Sequence, residues 1–130
     1  MIKVTAHIGK ELYKTEIKSD TNTIISDEPN TVGGKDLGFS PRELLASSLA
    51  SCTSITLRMY ANRKGWDLTD VKVEVDFEWN EDKSKSVINR RIALFGTLDD
   101  SQRERLLKIA NNCPIHKILS NPIEIGTILG

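Results

Sequence analysis

Cys52 and Cys113 are the two cysteines of this 130-residue chain. A thiolate attacks a peroxide or a disulfide, and a second thiol within reach can then close a disulfide on the oxidised sulfur. A free cysteine is equally a small apolar side chain that packs in a core. The two residues lie 61 positions apart, and that spacing leaves both readings open. The setting of Cys113 adds something. Pro114 suits the first position of a new helix, which makes Cys113 its N-cap, where the helix dipole and free N–H groups favour thiolate. His116 completes a C-x-x-H pair with Cys113, with Cys52 as a conceivable third ligand. Soft metal sites want four ligands, so the reading is an ordinary helix histidine and no metal.

The element that must position Cys52 is a long helix between Phe39 and Trp66. Ser40 is a good N-cap, Pro41 fits the first turn, and Glu43 stands three residues after the serine, a capping box. Gly65 stops the helix, and Arg63 and Lys64 complement its C-terminal dipole. Leu45, Leu49, Cys52, Thr56 and Met59 form one three-four stripe, while Leu44, Ala46, Ala50, Ile55, Leu57 and Ala61 fill most other directions. A helix apolar nearly all round is expected to be buried and central. Arg58 inside it is expected to meet a carboxylate or to emerge at a helix crossing.

Strand patterns flank this helix. Residues 2–8, 12–18 and 23–26 read as three meandering strands, with His7 on the solvated side. Residues 27–37, with a proline and adjacent glycines, read as a mobile loop. Beyond the helix, 71–79 alternates strictly and pairs with 87–96 across a polar tip containing Glu81, Asp82, Lys83 and Lys85. Asp99, Asp100 and Ser101 cap a second helix, with Ser101 and Glu104 as its capping box and Leu106, Ile109, Ala110 and Cys113 on one face. A short helix spans 114–120, and 123–127 reads as a closing strand. Trp66 and Trp79 read as core or interface anchors. The order of elements predicts one α+β domain over residues 1–130 with antiparallel sheets. Two small sheets cannot easily cover so apolar a helix, which points to an intertwined dimer.

Composition removes several function classes. Eighteen basic residues balance eighteen acidic ones, so no electrostatic footprint for nucleic acid or an anionic membrane exists. No run approaches the roughly 20 apolar residues of a membrane span, and residues 1–10 lack a signal-peptide core. A cytoplasmic location is the expectation, and there a cysteine pair is redox-active or buried rather than a structural staple.

SPRELLASSLASCTSITLRMYANRKGW together with ANNCPIHKIL resembles the OsmC/Ohr family, the osmotically inducible and organic hydroperoxide resistance proteins, in its less characterised OsmC-like branch. The resemblance implies antiparallel sheets wrapped around a long central helix in an intertwined homodimer. It further implies a thiol-dependent peroxidase of the oxidative stress response that reduces organic hydroperoxides. In such proteins the helix cysteine becomes a sulfenic acid, and a second cysteine condenses with it to a disulfide that an external dithiol reduces. On this chain Cys52 is then the attacking thiol and Cys113 the resolving one, with no cofactor.

Two departures from the peroxidase pattern bear on that reading. Those members hold the thiolate with a loop arginine, itself held by a glutamate ten residues before the first cysteine. Here Arg42 stands at that position, Glu43 stands at nine, and Lys35 is the only cation of the loop. Nine residues turn a helix by about 900°, half a turn off the Cys52 face, which favours capping for Glu43. Arg42 remains a supporting candidate as the cation, and Glu43 as its neighbour. The alternative is a non-peroxidase OsmC-like protein that binds an apolar small molecule or uses its thiols as a redox switch.

Overall fold

The computed structural model describes residues 1–82 and 84–130; Lys83, expected at the hairpin tip, lies outside the described residues. The fold is α+β with antiparallel sheets, and the chain divides into two compact units, residues 1–45 and 46–130.

In the first unit, β1 (Thr5–Ile8), β2 (Thr15–Lys18) and β3 (Thr23–Ser26) form an antiparallel meander in sequence order. Both outer strands pair with β2, as the alternation predicted. The first two strands start later than the pattern suggested, and Ile2 and Val4 stay exposed ahead of β1. The 27–37 segment is better tied than a mobile loop. The buried Asp27 carboxylate accepts backbone N–H groups from Tyr13 (3.1 Å), Glu28 (2.7 Å), Lys35 (3.3 Å) and Leu37 (3.2 Å). Burial alone would raise this carboxyl, but the four donors outweigh it and hold it below the ordinary carboxylate value. Gly34 passes so close to the Glu28 carbonyl that any side chain there would collide with it. An aspartate in a polar loop gave no sequence pattern from which this role could be read.

Helix α1 (Pro41–Lys64) starts and stops where its caps predicted. The Glu43 carboxylate accepts the Ser40 N–H at 2.9 Å, and Ser40 Oγ accepts the Glu43 N–H at 3.2 Å. Gly65 leaves the helix in the left-handed region at φ +69, which glycine adopts without a Cβ penalty.

The second unit holds α1 from Ala46 on, the hairpin β4 (Asp67–Trp79) and β5 (Ser86–Thr97), α2 (Asp100–Ile109) and α3 (Pro114–Leu119). The hairpin is longer than expected at both ends, and Val71, Val73, Val75, Phe77 and Trp79 do share the half-buried face. Its core joins Leu57, Tyr60 and Ala61 of α1 to Leu68, Leu106, Ile109 and Ala110, with Trp66 packed against them. The predicted face of α2 is borne out: Leu106, Ile109, Ala110 and Cys113 are all buried.

Four expectations need correction. The buried face of α1 is Leu49, Thr53, Leu57, Tyr60 and Ala61, while Leu45, Ile55 and Met59 are exposed. Periodicity cannot choose a side on a helix with apolar residues on most of its sides; its packing neighbours do. Arg58 meets carbonyls, not a carboxylate, donating to Leu68 O (2.6 Å) and Thr69 O (3.1 Å) where a register shift leaves Thr69 out of the ladder. The α2 capping box sits two residues earlier, between Asp99 and Gln102, because the Asp99 carboxylate reaches the Gln102 N–H at 2.7 Å. Residues 123–127 form no strand, since alternation supplies a strand's faces but a ladder also needs a free neighbouring edge; Ile123 and Ile125 are exposed.

Replacing Ser40 with alanine is expected to lower the unfolding free energy by about 1 kcal/mol, the usual effect of losing an N-cap. Glu43→Ala should cost less, and the double variant less than the sum, because the two side chains act reciprocally. Urea unfolding of the three variants measures this; strict additivity would contradict the capping box.

Candidate thiol site

The thiol site is built where α1 meets the turn between α2 and α3. After α2 the chain makes a tight turn over Ala110–Asn112, closed by the Cys113 N–H on Ala110 O at 3.4 Å. Cys113 then caps α3 as the sequence predicted, with Pro114 in the first turn. Its Sγ accepts the His116 N–H at 3.5 Å. The preceding N–H, that of Ile115, serves the other sulfur, on Cys52.

The two thiols therefore meet: Cys52 is hydrogen-bonded with Cys113, and both are free cysteines. Cys113 is fully buried and Cys52 is half-buried, so Cys52 is the more accessible sulfur. Burial pushes the Cys52 thiol up, and the Cys113 thiol pushes it further. The Ile115 N–H and the Thr56 hydroxyl oppose these effects without overcoming them, so the thiol lies above its ordinary value.

Arg90 is the residue that the sequence reading missed. From β5 it donates Nη1 to Thr53 Oγ1 (3.0 Å) and to Ala110 O (3.1 Å), and Nη2 to Asn111 Oδ1 (2.8 Å). The Thr53 hydroxyl sends its own proton to Leu49 O at 2.7 Å, leaving its lone pairs for the arginine. One guanidinium thus joins the residue after Cys52 to the residues two and three before Cys113. The signal was available: Arg90 shares strand parity with Ile88, Ile92 and Leu94, a charge on the apolar face of β5. A cavity of about 420 Å³ beside it is lined by Leu49, Ile88, Arg90, His116 and Leu119.

The other candidates fare differently. The Glu43 carboxyl is lowered by its hydrogen bonds to Ser40, which is the capping role, and Arg42 is exposed in the first turn of α1. Both belong to the first compact unit, whereas both thiols belong to the second. No group of three or more His, Cys, Asp and Glu side chains suited to a metal occurs among the described residues.

A helix cysteine touching a second cysteine at the start of a short helix, over an antiparallel hairpin, defines a dithiol site on an α+β fold. The family pattern described as OsmC-like protein matches residues 33–127, and the chain belongs to that family. Among solved structures it resembles a Psychrobacter arcticus 273-4 protein provisionally named for osmotic stress induction and a detoxification response. Identity there is 28%, TM-score 0.78, with 91% of this chain and 88% of that one covered. An OsmC-like protein from Mycoplasma pneumoniae matches at TM-score 0.80 and 20% identity, covering 92% and 87%. The organic hydroperoxide resistance protein OhrB of Bacillus subtilis matches at 0.61 and 23%, covering 91% and 89%. The last two likenesses speak for the fold. No curated protein matches the chain. No helix among the described residues is long and apolar enough to cross a membrane.

Two outcomes follow for stability. Because the folded state holds the Cys52 proton above the ordinary thiol value of about 8.5, the unfolded chain ionises first as pH rises through it, and stability falls. The urea midpoint should drop less between pH 7 and pH 10 in Cys52→Ser than in wild type, pH values chosen to straddle that ordinary value; parallel pH dependences would contradict the raised thiol. Arg90→Ala should cost about 2 kcal/mol by removing the three guanidinium hydrogen bonds that tie α1 to the turn after α2, read from the same unfolding curves.

Proposed function

We propose that the chain is a thiol-dependent peroxidase that reduces organic hydroperoxides, with Cys52 attacking and Cys113 resolving. The observation that carries this reading is the direct contact of the two thiols, one accessible and one buried. The Cys52 thiolate attacks the outer peroxide oxygen, the O–O bond breaks, and the alkoxide leaves and takes up a proton as the alcohol. Cys52 is now a sulfenic acid. The Cys113 sulfur displaces its oxygen as water, forming the disulfide, and an external dithiol restores both thiols. The balance is one hydroperoxide and two thiols giving one alcohol, one water and one disulfide. No metal or organic cofactor enters it. The 420 Å³ cavity is lined by both polar and apolar residues, and Leu49, Ile88 and Leu119 are the part of its wall that would meet the alkyl part of such a substrate.

The working unit in this proposal is an intertwined cytoplasmic homodimer of single OsmC-like domains spanning residues 1–130, its sheets wrapped around α1. Exposed Leu45, Ile55 and Met59 on α1, and Ile8 and Ile24 in the meander, support it, because a second copy would cover them. Arg42 remains the candidate cation for the thiolate, with Glu43 beside it.

A second reading has its own observation. Burial and the neighbouring thiol hold Cys52 protonated, which suits a non-peroxidase protein that binds an apolar small molecule better than a fast peroxidase.

Peroxide consumption separates the two. Reduced wild type should turn over an alkyl hydroperoxide with a dithiol, Cys52→Ser should not, and Cys113→Ser should lose the disulfide-forming cycle and overoxidise, one equivalent giving the sulfenic acid and a second the sulfinic acid. Equal peroxide loss in all three proteins would sink the peroxidase reading.

A further inference from the structure

The end of α1 carries a second cluster that the thiol chemistry does not use. Tyr60 is 8% exposed, and its hydroxyl accepts the Arg105 Nε–H at 3.1 Å. Three cations surround its ring: Arg63 Cζ lies 5.4 Å from the centroid, Lys64 Nζ 5.7 Å and Arg105 Cζ 5.9 Å. Each gains a cation–π contact, but the three repel one another. Among the described residues the ion pairs lie elsewhere, on Lys18, Lys35, Lys72 and Arg91, and none of these three cations meets a carboxylate. The hydrogen bond from Arg105, and then the charges of Arg105, Lys64 and Arg63, hold the Tyr60 phenol below its ordinary value, despite burial.

Arg63 and Arg105 also line a cleft of about 350 Å³, together with Thr56, Met59, Ile109 and Asn112. Its lining combines two guanidinium groups and an amide with the apolar side chains of Met59 and Ile109. The Nε of Arg105 is committed to Tyr60, which fixes the guanidinium and leaves its two terminal nitrogens for an oxyanion. We propose that this cleft binds an oxyanion, with Arg63 and Arg105 as its charged ligands and Asn112 as a neutral donor. The anion is a free phosphate or the carboxylate head of a short amphiphile, and the apolar walls suit the latter. Thr56 links the cleft to the thiols, since its hydroxyl also meets the Cys52 sulfur. A ligand seated there lies one side chain from that sulfur.

The test is calorimetric titration of the reduced full chain with inorganic phosphate and, separately, with octanoate. Because it reads binding and not turnover, its result stands whether or not the protein consumes peroxide. Wild type should bind octanoate in competition with phosphate, and Arg63→Gln or Arg105→Gln should weaken binding about tenfold, the effect of one lost charge-assisted hydrogen bond. Octanoate binding alone identifies the amphiphilic carboxylate, and comparable binding of phosphate identifies a free anion; either supports the site if the arginine variants weaken it. If Arg105→Gln does not fold without its bond to Tyr60, Arg63→Gln carries the test, because Arg63 is exposed. No binding of either anion, or equal affinity in wild type and variants, overturns the proposal.

Discussion

A helix with apolar residues on most of its sides cannot be satisfied by one neighbour, and α1 shows how this chain meets that constraint. Leu57, Tyr60 and Ala61 face the core, packed with residues of β4 and α2, and Leu49 and Thr53 are buried as well. The remaining directions keep Leu45, Ile55 and Met59 in the open. Burying a side chain of that kind is worth roughly 1.5–3 kcal/mol. Leaving three exposed on one helix is therefore a substantial unclaimed stabilisation, and it is the physical ground for the dimer proposed above. Cys52 lies between the two regimes, half-buried, which gives a sulfur both a dry environment and a way in.

What was legible in the sequence was whatever is decided locally. The capping box of Ser40 and Glu43, the stop at Gly65, the alternation of β4 and the placement of Cys113 before Pro114 each depend on a few adjacent residues. What was not legible depended on distant partners. The side of α1 that turns inward, the carbonyl partners of Arg58 and the meeting of the two thiols are set by segments far away in sequence. The unpaired residues 123–127 belong to the same class, because a strand pattern says nothing about whether an edge is free. Arg90 is intermediate. Its parity on β5 was visible, but its three acceptors come from two other elements.

Arg90 also explains why the thiols meet. The Ala110 carbonyl and the Thr53 hydroxyl both accept from one guanidinium, which spans the junction. That guanidinium then fixes the turn after α2 against α1. Cys113 follows in the next residues, with its sulfur oriented by the His116 N–H. An arginine placed against the thiolate would act on the sulfur itself, whereas Arg90 acts on Thr53, Ala110 and Asn111, in the segments that carry the sulfurs. The two tasks are separable, and the second does not supply the first.

That leaves the raised Cys52 thiol to reconcile with attack on a peroxide. A thiol held above its ordinary value leaves less thiolate at neutral pH. A more basic thiolate is also a better nucleophile, with a Brønsted slope of about 0.4–0.5, so the rate falls less than the thiolate fraction does. A raised thiol therefore slows the chemistry without forbidding it, while contact with Cys113 removes the search for a resolving partner. The penalty falls on the first step and the advantage on the second. In the proposed cycle such a site would favour completing the disulfide over lingering as a sulfenic acid, limiting overoxidation at some loss of speed.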